Sequence, residues 1–557
     1  MSDLRELDPL LVPAPSRLTR REGWRADHVA DRRRDTRYAE EAYRLDVDEH
    51  GVLITALGEA GFARGEATLA QLRRQYGTRL PRLTIEDAPA WGERGYMLDV
   101  SRDRVPTNHF LVQLAERTAA LKLNHLELYT EHTFAYRDHE EVWRAASPLT
   151  AADVRGLDAL LASRSVRLAA NQNCFGHLER WLRLPRYAPL AETLGCFVFE
   201  GIELQGPFSL CPTDGRSLPF VEGLLDELLE NFSSRVVHVG CDETQDVGQG
   251  RSRAEVQAVG VFEVYRRHLD GVAAAARKRG FEPRFWADIA LHFPDRLAEL
   301  SADLVPVAWG YEPDHPFDAQ AGALAASGRP FHLCCGTSAW RSFTGRTTER
   351  RANLAGCIAA AAVHGARGVQ IAEWGDVGHR QVEPIGRLAL AEFASRAWNP
   401  AAQPDPRAIS LQVFGDESLR LADWLAELGD ADRDLRAVSG VPEADGSPRR
   451  LTNATALFER LHPSGFPFRL PADPAPWHAA LERLADLRAA RPAVDAQLDA
   501  ELDHALDQAE LGARTGAGEP TGELPARVRA EHRRLWLAGS RPGGLEDSLA
   551  WWPRVDG

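Results

Sequence analysis

The 557-residue chain has no CxxC pair, no glycine-rich phosphate fingerprint behind its first apolar run, and no apolar stretch long enough to cross a bilayer. Each absence excludes something. Seven cysteines (174, 196, 211, 241, 334, 335, 357) are odd in number and lack ligand spacing, so they fit reduced, mostly buried thiols better than a disulfide framework or a zinc site. Basic surface is scarce as well. A formal net charge of -15 argues against a general binder of nucleic acid or anionic membrane, because both require a cationic face. The short run Arg32-Arg33-Arg34 reads as solvated surface. The opening MSDLRELDPLLVPAPS lacks the basic flank and long apolar core of a secretory signal, and together with the thiols it gives the expectation of a cytoplasmic protein.

What is present suits a soluble globular protein, with 44% hydrophobic and 26% charged residues. The length exceeds what one core usually serves, so two or three domains are expected. YRLDVDEHGVLITAL (43 to 57) alternates like two strands around a turn at Glu49-His50-Gly51, and ARGEATLAQLRRQYG reads as an amphipathic helix ended by Gly77. These make a small α/β domain over residues 1–89. From Tyr96 onward eight short apolar runs alternate with helical patterns: YMLDVS, HLELYT, RLAANQ, VVHVGC, RFWADI, VPVAWG, FHLCCG and GVQIAEW. Eight such units over about 300 residues point to a closed (β/α)8 TIM barrel over 90–400 rather than an open doubly wound sheet. Residues 401–557, rich in Ala, Leu, Arg and Asp with helical periods, read as a helical C-terminal region broken by prolines at 462 to 476 and by a turn at RPGGLEDS.

In such a barrel catalytic side chains lie at the carboxyl ends of the strands. Those ends carry Glu131 and His132, Asn171, Asn173 and His177, the adjacent acids Asp242 and Glu243, Trp286 and Asp288, Trp309 and Tyr311, Trp340, and Trp374 with Asp376, while Arg94 precedes the first strand. Carboxylates beside tryptophans suit a sugar, whose rim bears hydroxyls and whose faces bear C–H groups. A glycosidase needs one carboxylic acid to protonate the departing oxygen and a second group to stabilise the cationic transition state. Asp242 and Glu243 can supply both, with one carboxylate raising the pKa of the other.

Four motifs in order give the pair a context. HVGCDET resembles the His-x-Gly-x-Asp-Glu signature of family 20 glycoside hydrolases, the β-N-acetylhexosaminidases; RGYMLDVSRDRVP is similar to that family's first-strand motif, NQNCFGHLERW to its third-strand segment, and IAEWGD to its eighth-strand Trp-Gly-acid. The resemblance implies Glu243 as general acid/base and Asp242 as the group that orients the substrate's 2-acetamido arm. It also implies Arg94 on sugar hydroxyls, Trp374 and Asp376 lining the pocket, and His177 in the supporting network. The sequence departs from the family in two places. The second strand ends LYTEHTF, making Glu131 the equivalent of the usual acid, and HLCCGTSAWRSF lacks the usual tyrosine, for which Tyr311 is the substitute. The resulting expectation is an exo-acting retaining β-N-acetylhexosaminidase that uses no cofactor and removes GlcNAc or GalNAc from an oligosaccharide or glycoside by substrate-assisted catalysis, as a monomer or homodimer. Two other readings are a non-catalytic glycan-binding relative, which would have lost one acid, and a metal-dependent hydrolase built from His132, His177, His238 and Asp288, which lacks ligand spacing.

Overall fold

The computed structural model describes residues 4–442, 448–449, 451–463 and 468–552. Five strands form the first sheet: β1 (Arg17–Ala26), β2 (Asp31–Arg34), β3 (Tyr43–Asp48), β4 (Gly51–Ala56) and β5 (Arg79–Asp87), in the order β1-β5-β3-β4-β2. Alternation along β3 turns Tyr43, Leu45 and Val47 inward, where Phe62, Leu69, Leu72 and Tyr76 of the helix Glu59–Tyr76 cover them. Gly65 makes that approach possible, since a Cβ there would lie 2.7 Å from Ile54 Cγ2. The arginine run forms the exposed edge strand β2, with Arg32 paired to Glu59 and Glu66.

The barrel begins with β6 (Glu93–Asp99), β7 (His125–Tyr129) and β8 (Arg167–Asn171). A hairpin of β9 (Cys196–Phe199) and β10 (Ile202–Gln205) occupies the loop after β8. The remaining strands are β11 (Val236–His238), β12 (Glu282–Trp286), β13 (Val305–Trp309), β14 (His332–Gly336) and β15 (Gly368–Glu373). All eight barrel strands run parallel, and β15 pairs with β6 from Gly368↔Glu93 to Glu373↔Leu98, closing the cylinder. The eight runs singled out in the sequence are these eight strands. The floor of the barrel is charged: buried Glu93 pairs with Arg284 and Arg167, and His125 Nε2 lies 2.6 Å from Glu127.

Arg94 is at this floor and not at the mouth, which corrects the expectation that it binds sugar. It stands five residues before Asp99, roughly 17 Å away at the 3.3 Å rise of a strand. Its buried guanidinium pairs with Glu41 at 2.9 Å, donates to the carbonyl oxygens of Trp91 (2.6 Å) and Lys122 (2.8 Å), and stacks over Trp398. Beside it Lys122 Nζ lies 2.8 Å from Asp87, which also accepts the Trp398 indole N–H at 2.8 Å. The first sheet is therefore bonded to the barrel through buried ion pairs. Removing one partner of such a pair strands the other charge at a cost of about 3–5 kcal/mol.

Beyond the last barrel helix, Glu383–Trp398, the chain is helical, with Ala475–Ala490 packed on Ala496–Ala517, followed by Leu524–Gly539 and Leu545–Ala550. The proline break at 462 to 476 lies partly outside the described residues. The end of the chain returns to the barrel loops. Arg541 donates from its backbone to Val105 O at 2.8 Å and pairs with Asp153 at 3.0 Å, and Asp547 pairs with Arg180 at 2.9 Å. All seven cysteines are free, and all but Cys196 are buried. Among the described residues no helix is long and apolar enough to cross a membrane.

Candidate active site

Strand β11 is only three residues long because the chain turns sharply after it. Gly240, Cys241 and Glu243 all have positive φ (65°, 70° and 54°), a conformation that costs about 1–3 kcal/mol at each non-glycine position. Neighbours hold it in place. Asn173 Oδ1 accepts the Cys241 N–H at 3.1 Å, Tyr265 donates to the Cys241 carbonyl at 3.0 Å, and Asp288 Oδ2 accepts the Glu243 N–H at 2.9 Å. No side chain larger than hydrogen fits at 240, where a Cβ would lie 2.5 Å from the Asn173 amide.

The turn sends the two acids to different surroundings. Asp242 is 4% exposed and accepts from Asn173 Nδ2 at 2.9 Å. Glu243 keeps 27% of its side chain exposed. His177 sits between them, its Nε2 3.3 Å from Asp242 and 3.2 Å from Glu243. Burial works against charge on both partners of the Asp242–His177 pair, but each holds the other ionised: Asp242 lies below the usual carboxylate range and His177 well above the usual imidazole range. The carboxyl pushed up beside Asp242 is Asp288, by burial first and the Asp242 charge second. This third acid of the cluster comes from the end of β12.

An arginine the motif reading passed over occupies the sugar side. Arg102, just past the end of β6, lies 3.3 Å from Asp99 and 3.5 Å from both Glu131 and Asp376, and its Nη2 is 3.2 Å from His177 Nδ1. Its guanidinium packs against the rings of both Tyr129 (4.9 Å) and Trp374 (4.8 Å), which meet each other edge-on at 4.7 Å. The signal that could have found it is its place at the carboxyl end of the first strand, eight residues beyond Arg94 in the same motif. Burial drives the Glu131 carboxyl up to about 8 despite Arg102, and Glu131 accepts the Tyr129 hydroxyl at 2.9 Å. Tyr129 is the second residue missed: fully buried inside a strand, it reads as core.

The tryptophans form a box beside Asp242. Trp286, Tyr311, Trp340 and Trp374 are buried together, with Trp309 stacked on Tyr311 at 5.2 Å and Trp340 edge-on to Tyr311 at 5.0 Å. Tyr311 accepts the Trp374 indole N–H at 2.7 Å, which fixes its hydroxyl inside the box. Gly336 permits the closeness, since a Cβ there would come within 2.7 Å of both Trp340 and Tyr311. The structure thus gathers Asp242, Glu243, Glu131, His177, Trp286, Trp309, Tyr311, Trp340, Trp374 and Asp376 at one mouth and leaves Arg94 out. The four groups of the metal reading do not converge. His132 and His238 are buried apart, and among the described residues the groups close enough to share an ion are His177, Asp242 and Glu243, already engaged with one another.

Comparison with known proteins bears on the family and the fold. Residues 8–88 match the model described as glycosyl hydrolase family 20, domain 2, and residues 91–315 match glycosyl hydrolase family 20, catalytic domain. Human hexosaminidase D is 26% identical over 220 residues, 38% of this chain and 43% of the relative; a β-hexosaminidase of Vibrio furnissii is 27% identical over 235 residues, 37% and 38%. The matched region thus spans less than half the length of these curated relatives. In fold, a β-N-acetylhexosaminidase crystal structure superposes with a TM-score of 0.60 at 20% identity over 73% of this chain and 96% of that one. A Flavobacterium johnsoniae chitobiase does so at 0.60 and 14% identity over 97% and 98%. With two consecutive domain matches covering more than half of its length, and an Asp-Glu pair at the mouth of a closed eight-stranded barrel, the chain belongs to glycosyl hydrolase family 20.

Proposed function

We propose that the chain is an exo-acting β-N-acetylhexosaminidase that releases terminal β-linked GlcNAc or GalNAc with retention, through attack by the substrate's own acetamido oxygen. The observation that carries this is the difference between the two acids. Asp242 is buried, ionised and fastened to Asn173 and His177 against the aromatic box, whereas Glu243 reaches toward solvent. A buried anion suits the N–H of an acetamido group and the positive charge that develops as the ring closes to an oxazolinium. A carboxyl open to the entrance suits proton transfer to the leaving oxygen. In this reading the acetamido methyl enters the box of Trp286, Trp309, Trp340 and Trp374, Tyr311 meets the acetamido oxygen, and Arg102 with Glu131 and Asp376 holds the outer hydroxyls. Support also comes from the sequence relatives, a human hexosaminidase D and a β-hexosaminidase of Vibrio furnissii. The seven free thiols support a reducing compartment.

The test compares matched 4-nitrophenyl glycosides in the presence of a chelator. N-acetylglucosaminides are hydrolysed, glucosides hardly at all, and a thiazoline mimic of the cyclic intermediate competes. Comparable rates on glucosides, or a covalent sugar ester trapped on Asp242, would sink the substrate-assisted reading.

A further inference from the structure

The loop after β8 lifts a hairpin beside the acid turn, and two glutamines from the segment following Glu243 fasten it there. Gln249 lies along the free edge of β9, its Oε1 accepting the Val198 N–H at 2.8 Å and its Nε2 donating to Val198 O at 2.9 Å. Gln245 Oε1 accepts the Glu200 N–H at the hairpin turn at 2.8 Å, while the Gln245 N–H donates to Glu243 O at 2.7 Å. Hairpin and acid turn therefore behave as one unit.

The register sorts the side chains. Phe197 pairs with Leu204 and Phe199 with Ile202, so these four share a face; Val198 with Glu203 and Cys196 with Gln205 take the other. The first face rests on Phe208, at ring distances of 5.7 Å from Phe197 and 6.1 Å from Phe199, and Phe208 meets the His177 ring edge-on at 4.7 Å. Its β9 half is buried. Its β10 half is open, with Leu204 39% exposed and Ile202 and Phe208 half-buried. A row thus runs from Glu243 through His177 and Phe208 to Ile202 and Leu204, and every side chain of the row beyond the imidazole is apolar.

We propose that Phe208, Ile202 and Leu204 form the leaving-group wall of the site and select N-acetylhexosaminides whose aglycone is an alkyl or aryl chain rather than a further sugar. The proposal rests on the reading of Glu243 as proton donor. That donor must come within hydrogen-bond reach of the glycosidic oxygen, so the aglycone starts about 3 Å from Glu243 and extends away from the Asp242 pocket. A second sugar there would turn its hydroxyls to a face that offers them no partner, because the hairpin's polar side chains, Glu203 and Gln205, point the other way. An alkyl chain would cover the open half of the face and remove it from water.

Hexyl and methyl β-N-acetylglucosaminides test this, because their leaving alcohols are alike in acidity and differ in apolar length. For the unaltered protein kcat/KM for the hexyl glycoside should exceed that for the methyl glycoside by about tenfold or more, equivalent to about 1.4 kcal/mol. The double variant Ile202→Ser, Leu204→Ser should bring the ratio to about two or below, with the thermal midpoint reporting that the fold is kept. A ratio near one in the unaltered protein, or an unchanged ratio in a folded variant, overturns the wall alone. Absence of hydrolysis of both glycosides overturns the wall together with the assignment of Glu243. The unaltered ratio decides the matter even if the variant fails to fold.

Discussion

Replacing Asp242 by Asn isolates the charge while keeping the shape. The amide still offers an oxygen to Asn173 Nδ2, 2.9 Å away, and fills the same buried space, and His177 keeps Glu243 as a partner at 3.2 Å, so the fold should be kept. What disappears is a full negative charge facing the site of oxazolinium formation. At about 4 Å and an effective dielectric of about 20 that attraction is worth roughly 4 kcal/mol. Each 1.36 kcal/mol being a tenfold change in rate, kcat should fall about a thousandfold. The charge also holds His177 protonated across 3.3 Å and helps to keep Asp288 neutral, so the pH profile of the residual activity should move with it. The assay is steady-state kcat and KM on 4-nitrophenyl β-N-acetylglucosaminide across pH, with a thermal melt alongside. A kcat within tenfold of the unaltered protein, at matched stability, would refute the role given to this carboxylate.

Glu243→Gln removes the proton donor and should cost about 10² to 10⁴ in kcat on a natural glycoside and less with a nitrophenol leaving group; equal losses on both would contradict the assignment. Arg94→Met should leave kcat unchanged but destabilise the protein by about 3–5 kcal/mol in urea unfolding, since Glu41 keeps only Arg64 as its ion-pair partner. A loss of kcat without loss of stability would instead return Arg94 to the substrate. Glu131, raised to about 8 by burial, keeps in the folded state a proton that the unfolded chain releases near pH 4.3. Its contribution to stability is therefore complete below about pH 4.3 and declines by up to about 1.4 kcal/mol per unit until pH passes 8. Glu131→Gln should gain stability relative to the unaltered protein between pH 5 and 8, and a pH-independent difference in urea midpoints would refute this.

The barrel was legible because each strand is a short run of apolar residues ending in polar ones, a pattern set by burial on both sides and by chemistry at one end. The first sheet was only half legible. β3 and β4 alternate, but β1 is exposed along nearly its whole length and β2 is Asp-Arg-Arg-Arg, so neither shows a buried face to read. The acid turn was found by residue type, yet its backbone was hidden, because beyond Gly240 the left-handed positions are Cys241 and Glu243, residue types that carry no turn signal. Arg94 and Arg102 carry identical chemistry eight residues apart, and only the direction of the strand between them decides which one can face a substrate. Tyr129 was invisible for the opposite reason, since a phenol in an apolar strand looks like core until its hydroxyl is seen to bond Glu131.

A closed barrel has one joint that no connecting loop guards, the seam where its last strand meets its first. Here the sheet that precedes the barrel spans that seam. Asp87 accepts the indole N–H of Trp398 in the last barrel helix and the ammonium of Lys122 just ahead of β7, and Glu41 grips Arg94 on β6, whose guanidinium in turn covers Trp398. The sheet therefore works as a clasp, binding the beginning of the cylinder to its end with charges that have nowhere else to go. A chain cut at residue 90 would carry an open hinge and two stranded cations, and any sheet grafted in its place would have to bring its own carboxylates to the same two points.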